Sequence, residues 1–495
     1  MFSLRHRSGQ AFVLLLIAFA LRSPLFGNPV IHSDEQFYLL VGDRLLHGAW
    51  PFVDIFDRKP VGLFLIFAGI RSAGGNGIVM YQLAATLVAA GTAFLVGRIV
   101  HRLTAPGSPA RPGSPARPGS PARSSATAFT AELGASLIYL VWVMIFDGAG
   151  GQSAIWGNAL MASAALLVLG RDAVDRCVGS RGVGAMLLIG LAMQIKYTAM
   201  FEGIFFGLVL LKQSHETDRS IARLIRNAAF WVAAALLPTA LAWVVYALAG
   251  HNDAFVFANF LSIFGQQNDD GFGSSLLKLA GALALSCPLV VLAWHGRRSA
   301  PFAMGWLVAA GLAVIIMRNF ELLYLLPVAL PLAVAAGTGL ARVSTRAHRR
   351  SLIAVLLFGV VAAAVLGGIR VARRGTARQV AALVHMVGQH PPGCLFTFGS
   401  EPILYYLTQS CLPTPYIFRS HLSRMTEAHG LGIDPATETA RLLAANPGVI
   451  VVRADKADTN PATRARVAAA IADRYRLVGV VKVGALPHTV YRLNR

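Results

Sequence analysis

The chain has 495 residues, 55% hydrophobic and 14% charged, with a mean hydropathy of +0.59. Soluble domains carry about 25% charged residues, which argues against a cytosolic globular enzyme. The formal net charge of +21, from 44 basic and 23 acidic residues, would point to nucleic acid in a soluble chain; here the charges must first be divided between two faces of a bilayer.

A membrane span needs about 20 apolar residues. Suitable segments recur at 10–27, 77–98, 129–146, 153–170, 183–195, 198–212, 227–249, 275–294, 301–317, 322–341 and 351–370. The chain therefore reads as an all-α polytopic membrane protein with about eleven transmembrane helices. Arg5 and Arg7 precede the first apolar run as in a signal peptide, but no convincing small-residue cleavage site follows near Gly27-Asn28. That run is read as an uncleaved first helix. The segment 60–73 is shorter and ends in Arg71 and Gly74-Gly75, so it reads as an outer-face interfacial helix.

Basic residues in short loops orient the chain. With the N-terminus cytoplasmic, the inner loops hold Arg98, Arg102, Arg111, Arg117 and Arg123, then Arg171, Arg176 and Arg181, then Lys212, Arg219, Arg223 and Arg226, then Arg297 and Arg298, and then Arg342, Arg346, Arg349 and Arg350. The opposite loops, 28–76, 147–152, a turn near Lys196, 250–274 and 318–321, are poor in Lys and Arg. An odd number of spans places the tail outside. The expected domains are a transmembrane part, 1–370, and an extracytoplasmic part, 371–495. Within the first, 103–128 contains a repeat of Gly-Ser-Pro-Ala-Arg-Pro from Gly107 to Arg123. Without apolar residues beyond Ala it has no core to bury and is expected to be a disordered cytoplasmic linker.

The tail alternates helical and strand patterns, as a small α/β domain would. Ala377–Val387, Glu401–Leu407 and Pro435–Ala445 read as helices; Cys394–Phe398, Tyr416–Phe418 and Gly448–Val452 read as strands. Cys177 falls on the cytoplasmic side and Cys287 in a span. Cys394 and Cys411 both fall in the oxidising outer compartment, where a disulfide and a pair of buried thiols both fit the sequence.

The first outer loop, 28–76, concentrates chemistry between His32 and Pro60: HSDEQFYLLVGDRLLHGAWPFVDIFDRKP. Asp34 and Glu35 are adjacent carboxylates at the start of a helix expected over Gln36–Leu46. They serve either as N-caps or as catalytic groups, and spacing alone does not separate the two.

The order Asp34-Glu35, Tyr38, Gly48-Ala49-Trp50-Pro51, Asp54, Asp57 and Lys59-Pro60 resembles the first extracytoplasmic loop of the C-type integral membrane glycosyltransferases. Within that group it is most similar to the family 39 type, which includes protein O-mannosyltransferases and lipid A aminoarabinose transferases. Gln194-Ile195-Lys196-Tyr197, Phe201-Glu202, Arg318-Asn319-Phe320, Tyr324-Leu325-Leu326-Pro327 and Gly399-Ser400-Glu401-Pro402, followed by Tyr405 and Tyr406, extend the resemblance along the chain.

The resemblance implies transfer of a sugar from a polyprenyl-phosphate donor to a hydroxyl on a lipid, glycan or protein acceptor, with inversion, at the outer face of a bacterial cytoplasmic membrane. A hydroxyl is a poor nucleophile and needs a carboxylate to take its proton. Asp34 is the candidate base and Glu35 its partner. The departing lipid phosphate needs fixed cations; Lys59 is the first candidate, with Arg58, Lys196 and Arg318 beside it. Lys196 and Arg318 have another reading, as side chains that snorkel to the interface or pair with Glu202 and Glu321. Tyr38, Asp54, Asp57, Glu202 and Glu321 are the remaining substrate-binding candidates. A divalent Mg or Mn ion is allowed but not required by the resemblance, and no metal site is read from His32, Asp34 and Asp57. The chain departs from many relatives at Phe37, where they carry Arg, and in Asp147–Asn158, which lacks an acidic residue usual there; Asp147, Gln152 and Asn158 are weaker candidates for sugar hydroxyls. A transporter or flippase of lipid-linked sugars is the rival reading, but no internal repeat with broken helices is visible. A membrane scaffold presenting the tail is a third. The basic tail has no aromatic pattern for nucleic acid.

Overall fold

The computed structural model describes residues 7–105, 125–170, 178–217, 219–266, 271–343 and 345–494. The proline-rich repeat and Cys177 lie outside the described residues. Each apolar segment read from hydropathy coincides with a helix: α1 Arg7–Arg22, α4 Gly77–Thr104, α5 Ser125–Ile145, α6 Ser153–Val168, α7 Val178–Met193, α8 Ala199–Thr217, α9 Ile221–Leu248, α11 Phe272–Gly296, α12 Pro301–Met317, α13 Leu326–Leu340 and α14 Thr345–Arg374. Shorter helices complete the membrane part and the tail: α2 Ser33–Leu45, α3 Val61–Ser72, α10 Asn252–Val256, α15 Ala377–Val387, α16 Ile403–Leu407, α17 Pro435–Ala444 and α18 Pro461–Arg474. The 12 residues of α3 rise about 18 Å, well short of a hydrocarbon core of roughly 30 Å.

Packing groups the chain into two compact units, one of Met1–Pro24, Leu83–Ala240 and Gly271–Gly367, the other of Leu25–Gln82, Leu241–Asp270 and Gly368–Arg495. The sequence reading joined the first outer loop to the membrane part; its packing is instead with the tail segment.

In the first unit α13 is the centre. Every residue of it except Pro327 is buried, and α5, α11 and α12 pack around it. Small residues permit this, as between membrane helices generally. A Cβ placed on Gly337 would sit 2.6 Å from that of Ala135, and one on Gly296 would sit 2.8 Å from the Gly339 backbone nitrogen. By contrast α11 exposes Leu276, Leu277, Leu283, Val291 and Trp294, and α14 exposes Ile353, Leu357, Val361 and Val365. Leaving such rows of side chains outside is costly in water and free of cost in lipid.

In the second unit a four-stranded sheet runs in the order β1-β2-β4-β3, with β1 Leu395–Phe398, β2 Val449–Arg453, β3 Tyr475–Val483 and β4 Leu486–Leu493. β1 and β2 are parallel, in the register Leu395 to Val449, and β4 runs antiparallel to both β2 and β3. β1 and β2 are buried throughout, while β3 alternates with one exposed face. The tail is therefore the small α/β domain expected.

Two details differ. Tyr416–Phe418 is not a strand. Pro413 and Pro415 remove donors a ladder would need, and the side chains pack instead, Tyr416 5.4 Å from the Phe56 ring and Phe418 5.1 Å from that of Phe37. The β3–β4 hairpin and α18 were not anticipated. Cys394 and Cys411 form a disulfide with 5.0 Å between Cα atoms; Cys394 precedes β1, whereas Cys411 lies in a loop rather than at the start of a strand.

His421 and His488 are both buried in the second unit. Burial pushes His421 down to about 3 and His488 to about 4, from an ordinary 6.5. Both stay neutral in the fold, so the unfolded chain binds protons first as pH falls. Their contribution is complete above pH 6.5 and declines towards pH 4. Denaturant unfolding is expected to show lower stability at pH 5 than at pH 7; an equal stability at both would contradict the neutral, buried state of these rings.

Candidate active site

Helix α2 begins earlier than the spacing implied, and a different residue caps it. His32 is extended, at φ −150° and ψ 146°, and its Nδ1 accepts the Asp34 N–H. Asp34 and Glu35 therefore sit inside the first turn, where the helix dipole favours negative charge, with their carboxylates released from capping. Successive helix residues point about 100° apart, which separates the two. Glu35 is 0% exposed and accepts from Tyr81 Oη at 3.4 Å. The Asp34 side chain is 21% exposed and Tyr38 Oη reaches its Oδ2 at 3.4 Å. Only Asp34 of the pair faces outward. Tyr38 is itself buried against Phe64 and Phe67.

The loop after α2 sorts its four remaining charges. Asp54 is exposed and accepts the Trp50 N–H at 2.7 Å, closing a turn held also by the Pro51–Ile55 bridge. Arg58 is engaged as well: its guanidinium donates to Glu427 Oε2 at 2.6 Å, Ser262 Oγ at 2.6 Å and the Gly430 carbonyl at 3.0 Å. A phosphate would have to displace those partners.

Asp57 and Lys59 behave otherwise. Burial raises the Asp57 pKa, Lys59 opposes the rise, and Asp34 adds to it. That coupling brings Asp34, Asp57 and Lys59 into one electrostatic neighbourhood: a partly exposed carboxylate, a carboxyl with enhanced proton affinity, and a lysine.

Sequence reasoning did not foresee what braces α2. Gln36 donates to Glu401 Oε2 at 2.8 Å and accepts the Ile403 N–H at 3.3 Å. Glu401 is buried, which alone would raise its pKa, but Arg419 and Arg453 outweigh this and hold it below the ordinary carboxylate range. The Gly399-Ser400-Glu401-Pro402 motif is thus the clamp on the turn that bears Asp34. Arg374 reinforces it, donating to the Ile31 carbonyl at 2.5 Å.

Lys196, Glu202, Arg318 and Glu321 belong to the other unit. Lys196 Nζ lies 4.4 Å from the centre of the Tyr324 ring, a cation–π contact. Glu202 is buried and accepts from Trp306 Nε1 at 2.8 Å. Glu321 pairs with Lys278 at 2.8 Å rather than with Arg318. Arg318 closes α12 in the left-handed region, φ 49°, with its side chain exposed. Of the weaker candidates, Asn158 is taken up by Tyr139 Oη at 3.3 Å and the Leu326 carbonyl at 3.1 Å. Arg22, also unforeseen, is buried and donates to the carbonyls of Gly148 and Gly150 and to Thr86 Oγ1. It fixes the 147–152 loop.

Among the described residues no three His, Cys, Asp or Glu side chains converge to hold a metal ion.

No protein-family model matches the chain, and no curated protein matches it in sequence. Solved structures do. ArnT from Cupriavidus metallidurans bound to undecaprenyl phosphate superposes with a TM-score of 0.65 at 14% identity, over 98% of each chain. The apo state of the same protein gives 0.66 at 14%, again over 98% of each. The arabinofuranosyltransferase AftD from mycobacteria gives 0.48 at 17%, covering 100% of this chain and 42% of that one. The chain thus shares its fold with ArnT.

Proposed function

We propose that this protein is an integral membrane glycosyltransferase that moves a sugar from a polyprenyl-phosphate donor to a hydroxyl acceptor, with inversion, at the outer face of a bacterial cytoplasmic membrane. The observation that carries the reading is the partly exposed Asp34 carboxylate in the first turn of α2, with His32 rather than Asp34 capping that helix. The shared fold with ArnT, solved with undecaprenyl phosphate, supports a polyprenyl-phosphate donor, and the loop motif supports the family 39 kind. The charge asymmetry of the loops supports a cytoplasmic N-terminus and an outer tail.

In this mechanism Asp34 takes the acceptor proton as the hydroxyl attacks the anomeric carbon. Inversion needs one base on the attacking side and the departing phosphate on the other. Lys59 neutralises the charge that develops on that phosphate. Burial raises the Asp57 pKa and the neighbouring Lys59 opposes the rise. Glu35, wholly buried, acts through the helix turn and does not touch substrate.

An assay with radiolabelled polyprenyl-phosphate sugars and envelope acceptors tests the function. In it, Lys59→Gln is expected to lower kcat/KM for the donor about 10- to 100-fold, the worth of a charge-assisted hydrogen bond of roughly 1.5–3 kcal/mol, mostly through kcat, because the charge that Lys59 meets develops in the transition state. An unchanged kcat/KM would remove Lys59 from the phosphate.

A further inference from the structure

The parallel strands β1 and β2 end side by side, and a crevice opens at their carboxyl ends. Phe398, Gly399, Arg424, Arg453, Lys456 and Asp458 are among its walls. Crevices outside the carboxyl ends of parallel strands are where open α/β sheets take ligands. Gly399 makes room for this one: at φ +68° it turns the chain sharply away after β1.

The charge of the crevice is one-sided. Arg453, the last residue of β2, is 7% exposed. Its Nε has no hydrogen-bond partner among the described residues, and its Nη1 stands 3.7 Å from Glu401 Oε1, too far for a hydrogen bond. Leaving a buried guanidinium N–H without an acceptor is costly. Arg424 pairs with Asp458 at 3.2 Å and Arg464 with Asp455 at 2.9 Å, so those carboxylates are already neutralised. Arg419 shares Glu401 with Arg453. Lys456 at the rim is held down to about 8 by burial and by Arg424, Arg453 and Arg419. His488, paired across the sheet with Arg453, is neutral and engages Ser400 Oγ at 2.8 Å. Positive charge therefore exceeds negative here, and a buried donor waits for an acceptor.

We propose that this crevice is an anion site that takes a phosphate group, held by Arg453, Arg424 and Lys456. A tetrahedral oxyanion supplies the acceptor that Arg453 Nε lacks and accepts from a planar guanidinium fork with good geometry. The inference is independent of the glycosyl-transfer reading, because its test reads phosphate binding and not transfer.

The full chain in neutral detergent, at constant ionic strength, is titrated with inorganic phosphate by calorimetry. The expected result is saturable one-to-one binding, weakened at least tenfold in both Lys456→Gln and Arg424→Gln, with thermal unfolding of the Lys456 variant as in the wild type. Absence of saturable binding, or equal affinity in wild type and Lys456→Gln, would overturn the proposal. Competition with a short-chain phosphatidic acid then names the source: displacement of phosphate assigns the site to a lipid headgroup, and undiminished phosphate binding assigns it to a soluble phosphate.

Discussion

Replacing Asp34 by Asn is expected to lower sugar transfer about 10²- to 10⁴-fold, the range that a positioned general base contributes, while the protein inserts and unfolds as the wild type does. The asymmetry follows from where the side chain sits. Asp34 is partly exposed, and Tyr38 Oη can donate to an amide oxygen as to a carboxylate. His32 continues to cap α2 through the Asp34 backbone N–H. Little of the fold depends on the charge, whereas the reaction depends on it wholly. Initial rates with a polyprenyl-phosphate sugar and thermal unfolding of the same preparations separate the two effects. A variant with wild-type turnover would take Asp34 out of the chemistry; one that fails to fold would make it a structural residue.

The second large effect is structural. Arg58→Met is expected to destabilise the second unit by about 3–5 kcal/mol, because removing one partner of a buried pair strands the other. Glu427 is the group left behind: burial would raise its pKa, but Arg58 holds it low. A carboxylate whose folded pKa is depressed adds stability above its unfolded value, near 4.5, and loses it as pH falls through the folded value. The deficit of the variant relative to wild type should therefore narrow below about pH 4.5. Adding Glu427→Met should recover much of the loss at neutral pH, since an apolar pair can replace a buried ion pair. Chemical unfolding of the three proteins measures both, and an Arg58→Met protein as stable as wild type would return Arg58 to the list of phosphate ligands.

Arg58 also shows where the sequence stops being readable. Arg58 and Lys59 are neighbours of one charge in one motif, and so are Asp54 and Asp57 of the other sign. What separates them is their partners. Arg58 meets Glu427 across 369 positions, a distance no periodicity encodes. Asp54 is drawn four residues back to Trp50 N–H, a contact that requires the tight turn to exist first. Helices were far easier to read, since apolar runs such as 301–317 announce themselves by hydropathy, and α12 spans that interval.

The tail was harder. β1 and β2 are short and mostly apolar, and were recognisable. The β3–β4 hairpin escaped because it carries Gly479, Pro487 and basic residues on its open face. Tyr416–Phe418 misled for the opposite reason: aromatic residues with strand-like composition serve as wedges against Phe37 and Phe56. The Gly399–Pro402 motif was visible by resemblance, but its role as the clamp on Gln36 needed the fold.

The most direct test of the central claim is a structure of the protein with a non-cleavable polyprenyl-phosphonate sugar. The account predicts the Asp34 carboxylate on the face of the sugar opposite the phosphorus, separated from the anomeric carbon by room for one hydroxyl oxygen at hydrogen-bond reach of about 2.6–3.2 Å, with Lys59 on the phosphonate. A donor bound with its phosphonate on the Asp34 side, or with no carboxylate opposite it, would contradict the account.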